Sequence, residues 1–215
     1  MKQNGIFLGR TEILYNYGRY GYTRGNGKTW HGGVDVVGLD DAYVRMPYYQ
    51  NDDGTLRSIS ATIRRARCIT DHNDKTWEWG NYVGALFDAN QTPDDINYLV
   101  MAHNAKLIVK EGQHVKSGDI LAVMGNTGNA AGGYDHCHLE ARATANGKGL
   151  DPSQYAGCPN AVGVYGEQQK TNDEPTKMQL ITVGPVSRGD ADAVYTLCRS
   201  RGLVDAGLYK SEWSV

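Results

Sequence analysis

Between residues 58 and 142 the apolar side chains come in short bursts and never in a long periodic stripe. The bursts cover 58–70, 80–88, 98–103, 106–109, 120–124 and 136–142, are rich in Val, Ile, Leu and Tyr, and are separated by Gly, Asn and Asp. Runs of this kind suit strands joined by tight turns rather than long helices, which would show an apolar face recurring every three to four residues. Composition agrees: the chain has 27 glycines in 215 residues, about twice the usual share, and 14 tyrosines against 2 phenylalanines. The predicted fold is mainly β, an antiparallel β-sandwich, and no internal repeat interrupts it.

The stretch 166–177, GEQQKTNDEPTK, contains no apolar side chain. It can bury nothing to offset the entropy of ordering it and reads as a linker. Beyond it, 178–184 reads as a strand entering a Gly-Pro turn, and Ser187 stands three residues before Asp190 like a helix-opening pair. Ala191, Val194, Tyr195 and Cys198 then recur at helical spacing up to Gly202. The expected organisation is a main domain over 1–165, a linker over 166–177 and a small C-terminal β-α-β module over 178–215, too short to build a core without docking on something else.

Charge excludes one class of partner. Twenty-two Lys and Arg against 24 Asp and Glu leave a net charge of -2, which supplies no basic footprint for nucleic acid. No apolar run approaches the roughly 20 residues that cross a bilayer, and the opening MKQNGIFLGR has only Ile6, Phe7 and Leu8 in a row, so neither a membrane span nor a secretory signal is expected. Cys68, Cys137, Cys158 and Cys198 form no C-x-x-C pair and read as buried thiols, not as a zinc knuckle or a disulfide framework.

Chemistry concentrates in two segments. In WHGGVDVV, His31 and Asp35 are four apart; in HCHLE, His136, His138 and Glu140 alternate with Cys137 and Leu139. Even spacing on an extended strand puts polar residues on one face and apolar residues on the other, so each segment is half site and half core. Imidazole and carboxylate together suit zinc, and three protein ligands leave a fourth position for water, as in a catalytic site. Either segment taken alone is as well explained by an exposed loop pair.

The order of the segments narrows the choice. His31-Gly-Gly-Val-Asp35, Gly80-Asn-Tyr-Val83, Ala102-His103, the run Val109-Lys-Glu-Gly-Gln-His-Val-Lys-Ser-Gly-Asp-Ile-Leu121, and Gly125-Asn-Thr-Gly128 leading into His136-Cys-His-Leu-Glu140 follow one another. Over residues 15–152 this order resembles the lysostaphin-type zinc peptidases, a family of bacterial cell-wall endopeptidases. The resemblance implies a sandwich of the barrel-sandwich, duplicated hybrid type and a zinc ion held by His31, Asp35 and His138. His103 and His136 would flank the attacking water without ligating the metal, His136 as base and His103 as stabiliser. The implied substrate is a peptide of peptidoglycan. The 109–121 run is also similar to the hairpins of lipoyl carrier domains, but no carrier lysine stands at the tip.

The chain departs from the family pattern in three places: Cys137 and Leu139 on the core face, Tyr134-Asp135 where Gly-Pro is common, and a long 40–79 stretch whose 48–54 part is either a groove wall or a solvated insertion. His72 and His114 read as surface residues, and Trp77 and Trp79 as one face of a strand. The resemblance fits a phage lysin that waits in the host cytoplasm or rides on the virion, with residues 178–215 binding cell wall or mediating oligomerisation. The competing reading is a non-catalytic wall-binding or regulatory module on the same fold.

Overall fold

A computed structural model describes residues 4–167 together with Ala191, Val194, Tyr195 and Cys198. The chain divides into two units, Met1–Lys170 and Thr171–Val215. Within the second unit the four described residues are helical; the expected strands of the 178–215 module, and the linker from residue 168 onward, lie outside the described residues.

The first unit is built on a nine-stranded antiparallel sheet. Its strands run in the order His114–Lys116, Ser60–Cys68, Asn81–Phe87, Tyr98–Ala102, Cys137–Arg142, Val34–Gly38, Thr11–Ile13 and Gly163–Tyr165, with Gly149–Leu150 paired beside Cys137–Arg142. A three-stranded antiparallel sheet of Lys106–Leu107, Ile120–Val123 and Tyr43–Arg45 supplies the other side of the core. Ile63, Ala85, Leu99, Met101 and Leu139 from the large sheet and Val44, Leu121 and Ala122 from the small one share one buried cluster. The order is open, and neither sheet closes into a barrel.

Strand parity does the sorting that the sequence suggests. In Cys137–Arg142, Cys137, Leu139 and Ala141 are fully buried in the core, which leaves His138, Glu140 and Arg142 on the opposite face. Register aligns the neighbours: His138 lies opposite Asp35 on one side and Ala102 on the other.

The expected extended run through His31 and Asp35 is broken in two. Thr29–His31 pairs with Gly21–Arg24 in a separate two-stranded ribbon, while Val34–Gly38 enters the main sheet. The bend falls at Gly32 and Gly33, where the backbone presses onto the Cys137–Arg142 strand. A Cβ on Gly33 would stand 2.4 Å from the Leu139 carbonyl oxygen and 2.9 Å from His138 Cε1, closer than any side chain tolerates.

Trp77 and Trp79 are likewise not on a strand. Asp74 accepts hydrogen bonds from the Thr76 backbone N–H at 2.8 Å and from its hydroxyl at 2.7 Å. That turn leads into the one-turn helix Trp77–Trp79, which Gly80 ends at φ +59°. The 48–54 part of the long insertion forms a hairpin of Tyr49–Gln50 and Leu56–Arg57, with Tyr49 packed against the core. Of the four thiols, all free, Cys137 and Cys158 are buried as expected, Cys198 is half-buried and Cys68 is exposed.

Candidate metal centre

Three side chains converge where the two-stranded ribbon meets the large sheet. His31 Nε2 lies 3.3 Å from Asp35 Oδ1 and 3.0 Å from His138 Nδ1, and His138 Nδ1 lies 2.9 Å from the same Asp35 oxygen. The three residues are buried, and one ligand atom from each falls within 4.8 Å of the others. Arg24, on the ribbon strand that pairs with His31, places its Nη2 2.9 Å from His31 Nε2 and 3.0 Å from Asp35 Oδ2.

The outer nitrogens fix which atoms face inward. His31 Nδ1 donates to the Arg19 carbonyl at 2.8 Å, and His138 Nε2 donates to Glu140 Oε1 at 3.0 Å. Arg142 in turn holds Glu140, its Nε 2.6 Å from Oε2. With those nitrogens turned outward, the inner ones, His31 Nε2 and His138 Nδ1, lie 3.0 Å apart beside the Asp35 carboxylate. Such a set calls for a shared cation, and donation of the second ring nitrogen to a carboxylate or carbonyl is the usual arrangement behind metal-binding imidazoles. The residues therefore fit a divalent ion of the zinc type.

Electrostatics tell the same story. Burial alone would raise the Asp35 carboxyl, but hydrogen bonds from His138 and His31 hold it well below the usual carboxylate range. Burial opposes charge on His138, yet its bonds to Asp35 and Glu140 win and push it up to about 9. Glu140 stays low, since His138 and Arg142 overcome its desolvation. The pocket is tuned for positive charge.

His103 and His136 sit beside this cluster with the opposite tendency. Burial, reinforced by His138 and His136, drops His103 to about 3, and burial also lowers His136. Both are neutral at physiological pH. His103 Nδ1 donates to the Thr127 carbonyl at 2.9 Å and His136 Nδ1 to the Tyr134 carbonyl at 3.0 Å, so each presents an unprotonated Nε2. That of His136 lies 3.8 Å from Asp35 Oδ1, and the His103 and His136 ring centroids are 5.0 Å apart.

His103 also carries strain. Its φ of +64° is left-handed, a conformation that costs a non-glycine residue on the order of 1–3 kcal/mol. It persists because its N–H bonds the Trp79 carbonyl at 2.9 Å and its carbonyl accepts from Thr127 at 3.2 Å.

All five residues singled out from the sequence meet here, and the two set aside do not. His114 pairs with Asp88 at 2.8 Å, and His72 stacks on Trp77 with centroids 4.5 Å apart. Sequence reasoning missed Arg24, which belongs to no motif and arrives only because the ribbon folds over. It also missed the role open to Tyr134, whose ring stacks on His136 at 4.6 Å and whose buried hydroxyl has no hydrogen-bond partner among the described residues.

Residues 74–152 match Peptidase family M23, a span that includes His103, His136 and His138 but not His31 or Asp35. A 53-residue stretch is 43% identical to the lipoprotein NlpD/LppB homologue of Pseudomonas aeruginosa, covering 25% of this chain. The chain spans only 16% of that relative. Among solved structures, the catalytic domain of lysostaphin from Staphylococcus simulans is 24% identical with a TM-score of 0.44, over 63% of this chain and 86% of that one. A zinc containing peptidase from Vibrio cholerae is 22% identical with a TM-score of 0.40, over 68% of this chain and 36% of that one. The chain carries a Peptidase family M23 domain.

Proposed function

We propose that the protein is a zinc metalloendopeptidase that hydrolyses peptide bonds in peptidoglycan, with His31, Asp35 and His138 as the zinc ligands. The observation that carries this is the convergence of His31 Nε2, Asp35 Oδ1 and His138 Nδ1 beside two neutral histidines with free Nε2 atoms. Zinc at such a site supplies a Lewis acid that polarises a carbonyl and acidifies water at neutral pH.

The remaining steps belong to the side chains. His136 is the base: its Nε2 faces the ligand cluster, takes the proton of the attacking water and returns it to the leaving amine. His103 cannot donate while neutral, because its one N–H is held by the Thr127 carbonyl; it stabilises the developing oxyanion with a proton that Nε2 takes from solvent as the negative charge builds and gives back when that charge collapses. Tyr134, held neutral by burial and by the Asp35 charge, offers a second hydrogen bond to the same oxygen. Glu140 and Arg142 keep the His138 ring oriented.

One observation favours the competing reading, a metal-free wall-binding or regulatory module. The Arg24 guanidinium already lies against two of the three ligand residues and would be displaced by, or repelled from, an ion. Elemental analysis separates the two. One zinc per chain, reduced in His31→Ala and His138→Ala but retained in His72→Ala and His114→Ala, supports the peptidase; full metal retention in the first pair overturns the ligand assignment. Residues 178–215 are assigned to wall binding or oligomerisation, in keeping with a lysin. Truncation after Tyr165 should then leave turnover of a small soluble peptide intact, and a folded, zinc-loaded truncation that cannot cleave it would refute that assignment.

A further inference from the structure

The face of the sheet that holds His138 and Glu140 does not end at the metal centre. It continues into a cavity of about 500 Å³ whose walls include Arg64, Arg65, Arg67, Arg142, Trp79 and Tyr98. Register explains the continuity: His138, Glu140 and Arg142 lie opposite Ala102, Val100 and Tyr98, and these lead through Gly84 and Tyr82 to Arg65 and Arg67. Gly84 makes the room. A Cβ there would meet the Tyr98 hydroxyl at 2.0 Å, so only glycine lets the Tyr98 ring lie flat across the floor.

Two consecutive arginines would ordinarily point to opposite faces of a strand. Here the pairing shifts between Ile63, opposite Ala85, and Arg65, opposite Gly84. This bulge leaves Arg64 as the extra residue, and both Arg64 and Arg65 line the cavity. Arg67 is paired with Asp74 at 2.9 Å and Arg142 with Glu140. Among the described residues Arg64 and Arg65 form no ion pair, and Arg65 donates only to the Arg64 carbonyl. The walls therefore carry two positive charges in excess, with Trp79 and Tyr98 as flat apolar surfaces beside them.

We propose that this cavity is a carboxylate subsite of the peptidase, holding a free carboxylate of the substrate peptide some four to five residues from the scissile bond. The proposal rests on the peptidase reading above. Arg65 lies three strands across from Glu140, through Val100 and Gly84, and Glu140 two residues along from His138; at about 4.8 Å per strand and 3.4 Å per residue that is about 16 Å, which an extended peptide spans with four to five residues. Two guanidinium groups on one wall match the two oxygens of a carboxylate, and the aromatic rings cover the aliphatic part of the chain that bears it.

The test uses the full chain and two probes: acetyl-tetraalanyl-glutamate with both carboxylates free, and the same peptide ending in glutamine amide. Binding is read from tryptophan emission, with Trp79→Phe identifying the responding residue. The acidic peptide should bind about tenfold tighter or more. The double variant Arg64→Gln with Arg65→Gln should bring the two affinities together, whereas Lys110→Gln with Lys116→Gln should leave the preference in place. Equal affinities in the unmodified protein, or a preference that survives the arginine variant, overturns the proposal. So does inorganic polyphosphate that binds more tightly than the acidic peptide and loses its affinity in the same variant, because the cavity then belongs to a phosphate polymer. Purified walls whose carboxylates have been amidated with carbodiimide and ammonia should likewise be cut about tenfold more slowly than untreated walls. A chain that holds no zinc and cuts neither wall, yet keeps the peptide preference, overturns the peptidase reading while the carboxylate site stands.

Discussion

Replacing Gly33 by alanine adds one methyl group to the molecule and should disable the site without replacing any of its functional residues. The new Cβ would stand 2.4 Å from the Leu139 carbonyl oxygen, 2.8 Å from Glu140 Cγ and 2.9 Å from His138 Cε1. Ordinary contact begins near 3.4 Å, so the 32–33 bend and the Cys137–Arg142 strand must separate by about 1 Å. Neither side yields easily, because Leu139 is fully buried and His138 is tied to Asp35 and Glu140. Overpacking of this kind costs about 1–3 kcal/mol, which lowers the melting temperature by roughly 2–12 °C for a chain of this size or its main unit. A 1 Å misplacement of reacting groups costs on the order of a hundredfold in rate. Gly32→Ala is the matched control: its added Cβ finds Glu140 Oε1 at 3.6 Å and nothing nearer, so it should keep stability and zinc. Thermal unfolding, elemental analysis and wall hydrolysis on both variants decide the matter. A Gly33→Ala protein with unchanged melting temperature, full zinc and full activity would refute the packing argument, and with it the idea that this bend sets the site geometry.

Three further outcomes follow. His103→Ala and His136→Ala should each keep zinc and lose on the order of a hundredfold or more in hydrolysis; loss of zinc together with activity would make that residue a ligand. Glu140→Gln should weaken zinc affinity by about ten- to a hundredfold in a competition titration against a chelator, because the His138 ring loses its carboxylate; an unchanged affinity would show that Glu140 does not orient it. Tyr134→Phe should lower the hydrolysis rate with little effect on zinc content, and an unchanged rate would remove its hydroxyl from the reaction.

The sequence announces the parts of this molecule whose meaning is local. Alternation in Cys137–Arg142 separates core from site residue by residue, and His103, His136 and His138 are found by reading along the chain. What is not legible depends on contacts between distant segments. The 31–37 run looks like one strand because nothing within it reveals that Gly33 must pass beneath Leu139 and His138. Trp77 and Trp79 have strand spacing, but the side chain of Asp74 captures the Thr76 N–H first and turns the chain. Strands of two or three residues, such as Tyr49–Gln50 and Gly149–Leu150, are too short to show any period. Arg24 and the bulge at Arg64 carry no local signature at all.

The two-stranded ribbon that bears His31 has a bearing on how fast an ion would come and go. His138 and Asp35 are anchored in the wide sheet, whereas His31 rides on a strand paired only with Gly21–Arg24. Isolated two-stranded ribbons have little stability of their own. If these three residues held an ion, two of its ligands would sit in the wide sheet and the third on the ribbon, joined to them through the Gly32-Gly33 bend. Opening the ribbon would break one coordination bond at a time, so metal exchange in such a centre would be timed by the ribbon's fraying more than by the strength of any single bond. Substitutions far out on the ribbon, around residues 25–28, would then change the exchange rate while leaving the equilibrium geometry of the ligands intact.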